Sequence, residues 1–190
     1  MEKLIDVVQI GNQIWTTKNL STTKFNDGTV IPNVIDDEQW SKLTTPGYCF
    51  YYNTTDVKAQ KKYGVLYNWY ALEKLAPAGW HIPTDAEWQT LSDYLREDAI
   101  ARGKINEAGN WQLSDVGAIN ESGFSALLSG YRQINGYFTN QSYSDNWWSA
   151  TMSDASVAYA YYRTTSHYPD YLPRYCINKT CGFSIRLVKD

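Results

Sequence analysis

Side chains able to do chemistry are few in this chain, and none falls into a pattern that marks a reaction. His81 and His167 are the only histidines. His81 sits in a Trp80-His81-Ile82-Pro83 connector, where a structural hydrogen-bonding role is expected. No G-x-S-x-G, H-E-x-x-H, phosphate loop or dinucleotide fingerprint occurs. Carboxylates are plentiful, as on any surface, and no pair is set apart by its spacing. The three cysteines, Cys49, Cys176 and Cys181, cannot all pair with one another, so a disulfide framework does not organise the fold. Cys176 and Cys181 read as a hairpin pair, free or bridged across 177–180.

The distinctive signal is aromatic. The 190 residues include sixteen tyrosines and eight tryptophans, and no lysine occurs between Lys104 and Lys179. Eight of those tyrosines lie between Tyr137 and Tyr175, among Ser, Asn, Asp and Thr. Tyrosine mixed with small polar residues and depleted of lysine suits contact surfaces, giving rigid amphipathic area with adaptable hydrogen bonding. The run 166–175, SHYPDYLPRY, has two prolines and no alternation, so it reads as an exposed loop, where binding residues tend to sit. Within 137–178, Tyr168, Tyr171 and Tyr175 are the expected aromatic anchors, and Arg174 and His167 the polar contacts. Asp145, Asn146, Asp170 and Asn178 are expected at the rim, and Tyr143 and Tyr161 complete the set. Tyr48, Tyr51, Tyr67 and Tyr70 are expected to fill the core, and for Tyr159, Tyr161 and Tyr162 core and surface are equally open, since a strand has two faces.

Loops of this kind need a scaffold. The clearest element is a helix opening at Pro83-Thr84-Asp85-Ala86-Glu87-Trp88. Thr84 and Glu87 form a capping box, Asp85 and Glu87 favour the positive helix end, and Trp88, Leu91 and Leu95 share one face. Leu66, Trp69 and Tyr70 suggest a helix before it, joined by a breaker-rich connector anchored by Trp80. Upstream, 7–20 reads as a hairpin turning at Gly11-Asn12, with Ile10, Ile14 and Trp15 towards the core. Asn26-Asp27-Gly28 marks a turn into a short strand at 29–31. Asp36 or Asp37 caps a short helix carrying Trp40 and Leu43, and 48–52 is β-prone. The segment 99–123 is polar and reads as a surface excursion. Strands are then expected at 124–128, 130–134, 137–139, 147–151, 157–163 and 182–188. In the last, alternation would bury Phe183, Ile185 and Leu187 and turn Ser184 and Arg186 outward. A helical middle followed by short strands is α+β, and the length suits one domain spanning 1–190.

Several separate strings occur together in this order: IGNQIW, YGVLYNWYAL, APAGWHIPTDAEWQTL, NESGFSALLSGYR, WWSAT and GFSIRLVKD. Over about 8–190 they resemble the Fibrobacter succinogenes major paralogous domain family. Pro83-Thr84, Glu87-Trp88 and Gly182-Phe183-Ser184-Ile185-Arg186 are also similar to the formylglycine-generating-enzyme and C-type-lectin-like group. The resemblance implies a C-type-lectin-like fold: two main helices packed on small twisted antiparallel sheets, neighbouring terminal strands and long loops on one side. Related domains serve as adhesins and as variable tips of phage tails and of targets of diversity-generating retroelements. Formylglycine-generating enzymes bind copper through two cysteines five residues apart. Cys176 and Cys181 match that spacing, but Cys181 abuts Gly182, whereas the family's pair lies well upstream. Asp and Asn at 143–146 offer oxygen ligands for a Ca²⁺-dependent sugar site, but the Glu-Pro-Asn or Gln-Pro-Asp triplet of sugar-binding C-type lectins is absent, so solvated loop residues are expected there.

The expectation is therefore a non-enzymatic recognition module without metal or cofactor. Its ligand would be a cell-surface protein or glycan, bound through the 137–178 loops. A copper-dependent oxidoreductase and a structural fimbrial or phage-tail subunit are the alternatives. The net charge of −3 offers no basic stripe for nucleic acid. No apolar run is long enough to span a bilayer, so no direct membrane insertion is expected. No signal peptide opens the chain, so it is expected to work where it is made, to be excised from a longer protein, or to reach a cell-surface, extracellular or virion location as part of a larger particle or assembly.

Overall fold

The structure is a computed structural model that describes residues 6–97, 122–166 and 172–190. It opens on the expected hairpin. β1 (Val7–Ile10) pairs antiparallel with β2 (Gln13–Thr16), and Ile10 opposite Gln13 leaves Gly11-Asn12 as a two-residue turn. Gly11 has φ +58°, the left-handed backbone that such a turn demands. Ile10 and Trp15 are buried, whereas Ile14 is half-exposed on the opposite side of its strand. Residues 29–31 form no full strand; only a single bridge joins Val30 to Lys24. Asp36 caps α1 (Asp37–Ser41) by accepting the Gln39 N–H at 2.8 Å, and Trp40 is fully buried.

Two expectations fail between residues 48 and 75. Only Tyr48–Cys49 is extended (β3); Tyr51–Asn53 is a 3₁₀ turn. The spacing of Leu66, Trp69 and Tyr70 does not make an α-helix. Leu66–Tyr67 is instead a strand, β4, paired with β3, and a 3₁₀ helix follows at Trp69–Lys74. The α-helix of this region, α2 (Val57–Tyr63), lies earlier. It buries no residue, so it had no apolar stripe by which to be recognised.

β5 (Trp80–His81) leads into α3 (Asp85–Glu97), whose capping box forms as expected. The Thr84 N–H donates to Glu87 Oε2 at 2.8 Å, and the Glu87 N–H donates to Thr84 Oγ1 at 3.3 Å. Trp88, Leu91 and Leu95 form its buried face. Most of the expected 99–123 excursion lies outside the described residues. Beyond it, Phe124 and Ala126 are buried but 124–128 forms no strand. β6 (Tyr131–Arg132) pairs with β7 (Phe138–Thr139). β8 (Ser144–Met152), β9 (Tyr159–Ser166) and β10 (Arg174–Asn178) make a three-stranded antiparallel sheet in the order β10-β9-β8. β11 (Val188–Lys189) lies between β2 and β5 in the sheet β1-β2-β11-β5. The architecture is thus mixed α/β, with few helices and several small antiparallel sheets.

The segment 182–187 departs most from its pattern. Ser184 and Arg186, expected to face out, are both fully buried, as are Phe183 and Ile185. The chain threads between sheets, bridging Tyr67 through Phe183 and Trp147 through Ser184, so neither side meets water. Arg186 is accommodated because its guanidinium donates to Asn19 Oδ1 and to the carbonyls of Thr16, Phe124 and Ser125, at 2.7–2.9 Å. It also lies over the Phe124 ring at 4.7 Å. A buried cation is tolerable when its donors are filled this way. Around it, Trp15, Trp88, Trp147 and Phe124 form one core cluster, Trp88 and Trp147 being stacked at 5.8 Å. The second large cluster gathers Tyr67, Trp148 and Phe183.

Candidate functional site

Strand alternation on β9 sorts the tyrosines of the second half. Tyr159, Tyr161, Arg163 and Thr165 point to one face, and Ala160, Tyr162 and Thr164 to the other. Register partners in an antiparallel sheet share a face. Arg174 lies opposite Arg163, Cys176 opposite Tyr161, and Asn178 opposite Tyr159. The first face therefore carries Tyr159, Tyr161, Arg163, Arg174, Cys176 and Asn178.

Helix α3 covers only one end of that face. There Arg163, 2% exposed, donates through Nη2 to Asp85 Oδ1 at 2.7 Å and through Nη1 to Gln89 Oε1 at 3.1 Å and the Leu172 carbonyl at 3.2 Å. Asp85 opens α3, and its second carboxylate oxygen accepts from Arg174 Nη1 at 3.0 Å. One carboxylate thus joins a buried and an exposed guanidinium. Beyond Arg174 the face is open. Tyr159 is 40% exposed, Cys176 is exposed, and Tyr161 and Asn178 are half-buried. The Arg174 guanidinium lies 4.8 Å from the Tyr161 ring centroid, and the Tyr161 hydroxyl donates to Asp154 Oδ2 at 3.3 Å. Tyr161 is therefore held at its face and at its tip, a ring already oriented for contact.

Of the residues expected from sequence, Tyr161, Arg174 and Asn178 come together here. Asn178 also caps the following turn, its Oδ1 accepting the Thr180 N–H at 2.9 Å. Tyr175 is exposed but lies on the opposite face, its ring 5.9 Å from that of Tyr162. Tyr143 is exposed at the far end of the sheet. It lies one position beyond Ser144, which pairs with Ser166, so its strand position is roughly 20 Å from Tyr161 at about 3.3 Å per residue. His167, Tyr168, Asp170 and Tyr171 lie outside the described residues.

Asp145 and Asn146 are not rim residues. Both are buried inside β8, at 0% and 4% exposure. The Asp145 carboxylate accepts from the Ser129 hydroxyl, from the Leu127 N–H at 3.0 Å and from the Asn146 N–H at 3.2 Å. Burial raises its pKa above the ordinary value against the pull of those donors and of Arg186. Its oxygens are committed to the core and offer nothing to an external cation or sugar. The expectation failed because β8 is three residues longer at its start than its apolar run suggests, drawing the polar Ser-Asp-Asn into the sheet. Among the described residues no group of three or more His, Cys, Asp or Glu is placed to hold a metal ion.

The two cysteines proposed as a pair occupy different environments and are both free. Cys176 is exposed on β10, whereas Cys181 is buried in the core, where burial pushes its thiol up to about 12. Such a thiol is held in its protonated form, opposite to what a metal ligand needs.

Two features escaped sequence reasoning, and the hydrogen-bonding role expected of His81 gains its partners. Tyr159 suits core or surface equally by sequence, and only the sheet register assigns it to the exposed face. His81 bridges two carboxylates, Glu87 Oε1 at 2.7 Å from Nε2 and Asp190 Oδ1 at 2.6 Å from Nδ1, tying β5 and α3 to the residue after β11. Partial burial opposes its charge, but the hydrogen bonds of Asp190 and then Glu87 outweigh it and raise its pKa. The second unforeseen feature is a cleft of about 170 Å³ lined by Phe50, Tyr51, Tyr52, Thr54, Ala59, Gln60, Tyr63, Gly64 and Gln141. Tyr52 stands beside it 66% exposed, with φ 51° and ψ 24°. Left-handed backbone at an aromatic residue costs on the order of 1–3 kcal/mol, and no sequence signal announces it.

The family model of the Fibrobacter succinogenes major domain matches residues 8–189, and the chain belongs to that family. Comparison with curated proteins and with solved structures gave no match.

Proposed function

We propose that this member of the Fibrobacter succinogenes major domain family is a non-enzymatic recognition module with a C-type-lectin-like fold, binding a protein or glycan displayed on a cell surface. The observation that carries the reading is the half-covered face of the β8–β9–β10 sheet. α3 seals the Arg163 end, and the other end presents Tyr159 and Tyr161 beside Arg174 and Asn178. Tyrosine gives large contact area for few rotatable bonds, and arginine is the cation most enriched at such contacts. A sugar ring or a partner side chain would stack on the tyrosines and hydrogen-bond to Arg174 and Asn178. The exposed residues at the sheet's other margins, Tyr143 and Tyr175, would extend the contact for a larger ligand. The finer fold assignment is supported by the pairing of β11 with β2, which brings the two ends of the chain into one sheet. Work at the cell surface, in the extracellular medium or on a virion follows from such a ligand.

The copper-oxidase alternative is disfavoured by the environments of Cys176 and Cys181. The structural-subunit alternative uses the same tyrosine surface on neighbouring copies. Glycan-array and cell-binding measurements on wild type and on a Tyr159→Ala/Tyr161→Ala variant test the proposal. Binding that falls at least tenfold in the variant supports it. Binding unchanged in the variant, or wild type that binds only itself, refutes it.

A further inference from the structure

We infer that the cleft between the 50–54 turn, α2 and the 140–143 turn is a binding site for a single neutral pyranose ring. It is separate from the Tyr159–Tyr161 face and does not depend on it. The walls are aromatic on several sides: Phe50, Tyr51, Tyr52 and Tyr63. Two primary amides, Gln60 and Gln141, complete the lining with Thr54, Ala59 and Gly64. No lining residue carries a formal charge. Lys62 is outside the lining, its ammonium 5.3 Å from the Tyr63 ring centroid. A site with no charge does not select a phosphate, a carboxylate or a cation, whereas amides and aromatic faces match the hydroxyls and C–H faces of a sugar.

Size and order point the same way. At about 170 Å³ the cleft lies below the roughly 300–1,000 Å³ of pockets that take drug-sized ligands, so a single ring fits and an extended ligand does not. The polar groups are already positioned. Gln60 Nε2 donates to the Thr54 carbonyl at 2.7 Å, which fixes the amide and leaves its Oε1 as an acceptor. The Tyr51 hydroxyl accepts the backbone N–H of Gln141 at 3.2 Å, joining the two sides of the cleft and orienting the Gln141 backbone. Tyr52 is held with its ring 4.7 Å from Tyr51 and 5.4 Å from Phe138, in the left-handed conformation that projects it at the edge of the cleft. Strained backbone concentrates where a side chain must be aimed.

The test is titration of the whole chain with neutral methyl pyranosides of the gluco, galacto and manno series, followed by NMR of the Gln60 and Gln141 side-chain amides. Saturable shifts of both amides with a millimolar dissociation constant are expected. Tyr52→Gly removes the ring while suiting the left-handed backbone, and Gln141→Leu removes only the amide; each should weaken binding at least tenfold without unfolding the chain. An oligosaccharide ending in the preferred ring should bind as well as the methyl glycoside if a glycan terminus is the natural source, and worse if the free sugar is. The inference is overturned if no pyranoside gives saturable shifts, if binding survives Tyr52→Gly, or if a neutral peptide binds and no sugar does. Shifts confined to Tyr159 and Tyr161 also overturn it, while leaving the proposed recognition face standing.

Discussion

Tyr48, Tyr51 and Tyr67 on one side and Tyr137, Tyr143, Tyr159 and Tyr175 on the other are chemically the same and meet opposite fates. Tyr48, Tyr51 and Tyr67 are buried, at 7%, 6% and 0% exposure, and Tyr67 donates its hydroxyl to the Thr22 carbonyl at 2.6 Å. Tyr137, Tyr143, Tyr159 and Tyr175 are all at least 40% exposed. The difference lies in what surrounds them. The first group sits on short strands and 3₁₀ segments enclosed by the core, where each buried hydroxyl needs a partner. Of the second, Tyr159 and Tyr175 lie on the β8–β9–β10 sheet, whose outer parts α3 does not reach, while Tyr143 lies just before β8 and Tyr137 just before β7. Exposed tyrosine gains little for stability, and these rings are the contact area on which the proposed recognition rests. Tyr52 breaks the first pattern, and its exposure draws attention to the cleft beside it.

Substitutions can break or sharpen this comparison. Tyr67→Ala should destabilise by about 3–5 kcal/mol, the usual consequence of emptying a buried aromatic site; Tyr159→Ala and Tyr161→Ala should each change stability by less than about 1 kcal/mol. Urea denaturation midpoints measure all three, and a large loss at Tyr161 would place that ring in the scaffold. Arg186→Ala should cost a similar 3–5 kcal/mol, because it leaves buried carbonyls of Thr16, Phe124 and Ser125 without their donor. Arg174→Ala, by contrast, removes an exposed guanidinium from Asp85 and should cost under about 1 kcal/mol. Tyr67→Phe keeps the ring and loses one hydrogen bond, for about 1 kcal/mol.

The smallest expected effect is pH-dependent. The raised pKa of His81 means its contribution is complete below its unfolded value near 6.5 and is lost as pH rises through the folded value. For Glu87, burial acts upward, but the Thr84 N–H and hydroxyl and then His81 dominate, so its pKa is lowered from 4.5. Its contribution is present above 4.5 and is lost as pH falls through the folded value. The Glu87–His81–Asp190 link is therefore strongest between about 4.5 and 6.5 and weakens at higher pH. His81→Gln should flatten the decline above pH 6.5, by no more than about 1 kcal/mol because the groups are solvent-screened. Thermal melts across that range check it.

Legibility in the sequence followed local signals. The Thr84–Glu87 cap, the Gly11-Asn12 turn and the Asp36 cap are satisfied within a few residues, and all three stand in the fold. The 66–70 spacing misled because Leu66 is buried on a two-residue strand, whereas Trp69 and Tyr70 are half-exposed on a 3₁₀ helix that buries Ala71 and Leu72 instead. Alternation at 183–187 misled because one segment serves two sheets, so both of its sides are interior. At the candidate site, Tyr161, Arg174 and Asn178 were recognisable from composition. Their common face, the departure of Tyr175 from it and the membership of Tyr159 depend on strand register, which is set by pairing across the sheet. Asp145 and Asn146 looked like loop residues because a buried polar group is betrayed only by its distant partners, Ser129 and Leu127. Within the lysine-free span, Arg132 and Arg163 are buried and use several fixed donors of a guanidinium, which a lysine ammonium does not supply.

The most direct test of recognition through the second group of tyrosines is cell-surface and glycan binding by wild type, Tyr159→Ala/Tyr161→Ala and the core control Tyr67→Phe, with folded fraction measured on each sample. The account predicts at least a tenfold loss for the double variant, which remains folded, and near-wild-type binding for Tyr67→Phe. Equal binding by all three proteins would contradict it.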